Sequence, residues 1–179
     1  PFIIAHPDYG AGERRDQLVQ LVDIYPTVLS AMDREIPREL HGVDLLPALG
    51  NRFTPTRDFA VYGKWGSSIS ITDGRWTLHQ APRSPNEPLY WYGLQTSSIP
   101  LDLGPFVDGR RWAKVAAHNT GTWLSDRVGD PSESRNVADE KTSELKRLQL
   151  ALVAKLRELD APAEQIQRLG LDNRAAQKK

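Results

Sequence analysis

The side chains able to do chemistry are scattered along this 179-residue chain and do not gather into a familiar catalytic signature. Four histidines stand at positions 6, 41, 79 and 118, without the spacing that brings several ligands onto one metal ion. There is no cysteine, which removes disulfides, thiolate nucleophiles and Cys-ligated zinc or iron–sulfur centres. No Gly-rich phosphate loop, HExxH or GxSxG stretch occurs. Asp8, Asp23, Asp44 and Asp73 each lie by a glycine, a proline or a helix start, where turn and capping roles account for a carboxylate. Lys64 and Trp65, between Gly63 and Gly66, are more suggestive. A cation beside an indole at a strand end suits a pocket for an anionic or sugar-like ligand. The plain alternative is a surface lysine next to a half-buried tryptophan. Tyr90 and Trp91, in "PLYWYG", pose the same choice between binding surface and loop packing. These four residues are the candidate substrate-binding positions. The sequence offers no catalytic set and no metal-ligating set.

Bulk composition narrows the partners. The chain carries 23 basic and 23 acidic residues, so its formal charge is zero and nothing in it argues for nucleic acid or an anionic membrane. No apolar run approaches the roughly 18 residues of a membrane span. The length suffices for one domain with a sizeable core.

The elements that must position these residues can be read in order. "PFIIAHP" at the start is apolar and partly β-branched, and predicts a strand buried on both faces. A chain that opens inside such a strand is expected to be the later part of a longer protein, which leaves the compartment, cytoplasmic or periplasmic, open. "LVQLVDIYPTVLSAM" predicts a helix that starts near Val22 or Asp23, because Pro26 fits only its first turn and Asp23 can meet the orphan N–H groups there. "LHGVDLLPALG" predicts a turn, a short helix and a glycine stop, and a boundary follows in "NRFTPTRD". "FAVYGKWG", "SSISITDG" and "RWTLHQAP" predict three antiparallel strands with one wet face, the last two joined by a hairpin at Asp73-Gly74. "GTWLSD" predicts one more. From Asp139, a plausible N-cap, Leu145, Leu148, Leu152, Leu156 and Leu159 recur every three or four residues, the pattern of a helix lying on a sheet. A short helix follows Pro162 and ends at Gly170.

Several of these segments together resemble the C-terminal part of a type I sulfatase, of the arylsulfatase-like, alkaline-phosphatase superfamily. "LVQLVDIYPTVLSAM" resembles the family's "VDhxPTLL" helix and "LHGVDLLPALG" its "hxGxSLLPLL" turn. "SISITDGRWTLHQAP" with "EPLYWYGL" resembles the C-terminal sheet of a bacterial subgroup. "DPSESRNVADE" matches "DPxExxNLA", and "DAPAEQIQRLGL" a common ending. The likeness covers nearly the whole chain and is poorest over 101–119. The family's "LYDL" strand is here "WLSDRVGDPSE".

The resemblance implies an α/β fold: residues 1–50 close the edge of an alkaline-phosphatase-like catalytic sandwich, and 51–179 form a small α+β subdomain, a short antiparallel sheet covered by a helix. It implies a parent enzyme that hydrolyses sulfate esters with a formylglycine nucleophile, made from the Cys or Ser of C/S-x-P-x-R, and a calcium ion acting as Lewis acid. Both belong to the part of the family that precedes Pro1, and no residue of this chain matches them. The chain alone is therefore expected to be inactive and to pack on that missing catalytic domain. Lys64, Trp65, Tyr90 and Trp91 would help wall the substrate cleft and select the alcohol part of the ester. The alternatives are a stand-alone binding module derived from such a tail, or part of a phosphodiesterase or phosphonate hydrolase of the same superfamily.

Overall fold

The computed structural model describes residues 2–9, 12–51, 54–63, 67–84, 86 and 121–172. The chain divides into two compact units, Pro1–Ala60 and Val61–Lys179.

In the first unit a single 3-10 turn, Leu21–Asp23, runs into helix α1, Ile24–Ala31. Pro26 is the third residue of α1, where its missing N–H removes no intrahelical bond. The helix closes with Arg34 N donating to Leu29 O at 2.9 Å, past Asp33 at a positive φ of 51°. Helix α2, Leu46–Gly50, carries Pro47 in its first turn. Gly42 lies against α1's approach: a Cβ there would fall 2.1 Å from Val22 O, so no other residue fits without moving backbone. Phe2–His6 forms no regular element, and its burial alternates. Phe2, Ile4 and His6 are half-buried while Ile3 and Ala5 are exposed. This corrects the expectation of a strand buried on both faces. Period-2 burial is present, but among the described residues no second strand pairs with it.

The second unit is built on one four-stranded sheet that starts at the unit boundary, in the order β1 (Ala60–Gly63), β2 (Ile69–Thr72), β3 (Trp76–Gln80) and β4 (Trp123–Asp126). β2, β3 and β4 are antiparallel, with Ile71 opposite Leu78 and Leu78 opposite Leu124. Those three side chains are wholly buried on one face, beneath helix α3, Thr142–Glu158, which presents Leu148, Leu152, Val153 and Leu156. Each such burial is worth roughly 1.5–3 kcal/mol against leaving the side chain in water, so this seam is the core. Helix α4, Ala163–Arg168, follows Pro162 and stops at Gly170, whose φ is +67°.

Three details differ from the sequence reading. The hairpin tip is Gly74–Arg75, one residue later than Asp73-Gly74, with Asp73 N bonded to Trp76 O and the Asp73 carboxylate accepting Arg75 N and Trp76 N. Helix α3 begins at Thr142 instead of at Asp139, because Lys141 N and Glu140 N are spent on Val137 O in a preceding turn. The second sheet face is wet only in part: Ser70, Thr72, Thr77 and Ser125 are at most 6% exposed, whereas His79 and Trp123 on the same face are half-buried.

β4 lies at one edge of the sheet, with polar backbone to satisfy. The "DPSESRNVAD" segment supplies the partners. Asn136 accepts Leu124 N and Ala138 N, both at 3.0 Å, and donates to Thr122 O at 3.1 Å. Val137 N adds a bond to Leu124 O at 2.8 Å. Upstream, Asp130 gathers Ser132 Oγ, Arg135 N and Ser134 Oγ into a closed turn. The Ser132 bond, then the others, hold the Asp130 carboxyl down to about 2.

Two outcomes follow. Asn136→Ala leaves Leu124 N short of its side-chain partner and should cost about 1–3 kcal/mol, read as a lower urea midpoint with an unchanged slope. The Asp130 carboxyl carbon should titrate near 2 by NMR. Its folded value is depressed, so its contribution to stability is complete above the ordinary carboxylate value near about 4 and is lost as pH falls through about 2.

Candidate functional site

Lys64, Trp65, Tyr90 and Trp91 lie outside the described residues. What the structure does place are the carboxylates, an apolar cleft in the first unit, and a polar cluster on the sheet of the second.

Asp23 is wholly buried. Its Oδ2 accepts Gln20 N at 2.7 Å, its Oδ1 accepts Val43 N at 2.9 Å, and the Arg57 guanidinium pairs with the same carboxylate. Thr27 Oγ1 donates to Asp23 O at 2.6 Å and accepts Leu45 N at 3.0 Å. Both carboxylate oxygens are engaged by donors, and no solvent reaches them. The residue is an anchor, as its place at a helix start suggests. Asp44 caps α2 through Leu46 N at 2.9 Å and takes Ser30 Oγ at 2.7 Å. At Asp73 burial works against the charge, but Trp76 N, Arg147 and Arg75 N outweigh it and hold the carboxyl below its ordinary value. None of these three acids is available as a general base.

The first unit also holds a cleft of about 760 Å³, lined in part by Phe2, Ile4, His6, Tyr9 and Leu49. Arg15, in its lining, is committed to Leu49 O at 3.0 Å and to Glu13 at 2.9 Å. The lining is largely apolar and no acid–base pair converges in it.

The second unit brings together residues that the sequence leaves far apart. Tyr62 on β1, Ser70 on β2, His79 on β3 and Trp123 on β4 share the face opposite α3. Ser70 stands opposite His79 in the ladder, and His79 opposite Trp123. Ser70 Oγ lies 2.6 Å from His79 Nδ1. The Tyr62 and His79 rings meet edge-on, 6.3 Å between centroids at 84°. Farther along, Ser125 Oγ donates to Glu133 Oε2 at 2.8 Å, and Glu133 pairs with Arg127 at 3.0 Å. Burial, then the Glu133 charge, push the Tyr62 phenol above its ordinary value, so it is a neutral hydroxyl at pH 7. The sequence search singled out none of these residues. The hairpin signal came within one residue: the tip at Gly74–Arg75 puts Ser70 beside His79, whereas a tip at Asp73-Gly74 puts it beside Thr77.

No protein-family model matches the sequence, and no curated protein is significantly similar to it. Solved structures do match, and several of them are described as sulfatases or putative sulfatases from Bacteroides. A Bacteroides thetaiotaomicron structure marked 4S-sulf, from a locus for the metabolism of multiple glycosaminoglycans, is 20% identical, covers 83% of this chain with 28% of its own, and gives a TM-score of 0.52. BT4656, solved with its substrate D-glucosamine-2-N,6-O-disulfate, is 16% identical over 79% of this chain and 24% of its own, with a TM-score of 0.51. Ps i-CgsB is 16% identical over 96% of this chain and 32% of its own, with a TM-score of 0.52. The chain therefore has the α/β fold of the sulfatase C-terminal region and spans about a quarter to a third of the length of these structures.

Asp23→Ala strips a buried guanidinium of its counter-charge. A loss of about 3–5 kcal/mol is expected, measured by urea denaturation. A variant as stable as the parent would show that the carboxylate is kept for something other than the fold.

Proposed function

We propose that this chain is the C-terminal part of a sulfatase, an enzyme that hydrolyses sulfate esters, and that the reacting centre is carried by preceding polypeptide. The single observation that supports it is the fold shared with solved sulfatases over 79–96% of the chain at TM-scores of 0.51–0.52. The motif order, from "VDIYPT" through "HGVDLLP" to "DPSESRN", agrees with it. Residues 1–50 then end the catalytic α/β domain and 51–179 form its small companion. BT4656, with its disulfated glucosamine, makes a sulfated sugar the ester class we assign.

This chain's own residues do not fit the family's calcium ion or formylglycine. Among the described residues no three His, Asp or Glu converge, and the sequence holds no C/S-x-P-x-R. We place both upstream and derive no step through them. The proposed work of this part is support and selection. Lys64, Trp65, Tyr90 and Trp91 are assigned to the cleft wall, against the alcohol of the ester.

Packing on a preceding domain is supported by the apolar surface of the first unit. Ile3, Leu21, Tyr25 and Met32 are all more than half exposed, an apolar excess that marks an interaction surface.

The test is to read the gene upstream of the Pro1 codon. An in-frame extension of several hundred codons holding C/S-x-P-x-R, whose product cleaves sulfate esters, is expected. A stop codon followed by a start beside Pro1 would overturn the reading. The 179-residue chain by itself should release no nitrophenol from 4-nitrophenyl sulfate and should bind a hydrophobic dye such as ANS through the exposed apolar face.

A further inference from the structure

We draw no further inference here: the strongest candidate, the apolar cleft of about 760 Å³ in the first unit, lined in part by Phe2, Ile4, Tyr9 and Leu49, carries nothing, because Arg15 in its lining is already committed to Leu49 O and Glu13 and nothing in the structure shows what covers it.

Discussion

The first unit depends on one carboxylate taken out of water. A buried charge is tolerated only when it is paired and its remaining lone pairs are filled. Asp23 meets that demand by drawing in Gln20 N, Val43 N and the guanidinium of Arg57, three groups from three separate stretches of chain. Much else in the unit is written to let this happen. Pro26 can sit so close because it falls in the first turn of α1. Thr27 bridges Asp23 O to Leu45 N. Gly42 has to be glycine, since only a bare Cα lets Val43 reach the carboxylate past Val22 O. "VDIYPT" and "HGVD" are thus two halves of one device, joined through a single acid by a bond that spans 20 residues.

The second unit solves a related problem with neutral groups. Its sheet has an apolar face closed by α3 and a second face on which Ser70, Thr72, Thr77 and Ser125 are buried as well. Polar atoms there need partners, and the segment after β4 provides several of them: Asn136 and Val137 serve the β4 backbone and Glu133 serves Ser125. Glu133 does so from a φ of +53°, an uncommon conformation for a residue with a side chain. The bonds of the Asp130 turn hold the segment that carries it. The motif "DPSESRN" therefore codes for the closing of a sheet edge, not for chemistry.

What could be read from the sequence was local. The strands β1 to β4, the leucine period of α3, the proline-led starts of α1 and α2 and the glycine stop of α4 all follow from rules that act within ten residues. Three things were not local. The Asp23–Arg57 pair spans 34 residues, so the acid was legible as a helix start and not as a hub. The burial of the polar sheet face depends on a segment that returns from beyond β4. And Trp123 comes beside His79 only because β4 pairs with β3 across 42 intervening residues. The Ser70–His79 contact was missed by one residue: a tip at Asp73-Gly74 pairs Ser70 with Thr77, and only the tip at Gly74–Arg75 brings it opposite His79. The error in the first strand is of another kind. Phe2–Ala5 is apolar throughout, but burial on both faces needs neighbours on both sides, and among the described residues no strand pairs with it.

A part without catalytic groups can still set what an enzyme acts on. The sulfate group is common to every sulfate ester, so contacts to it bind all substrates alike and cannot discriminate among them. Discrimination has to come from the alcohol, and for a sugar the alcohol is a ring whose hydroxyl orientations carry the identity. A site that rejects the wrong epimer needs donors held in place, because a misplaced hydroxyl is then left unpaired. Loops hold donors loosely. A hydrogen-bonded ladder holds them to the register of its strands, as it holds Ser70 Oγ 2.6 Å from His79 Nδ1. On that logic the value of a small sheet in the proposed enzyme lies in its stiffness. Selecting groups on a scaffold separate from a reacting centre would let either change without unmaking the other.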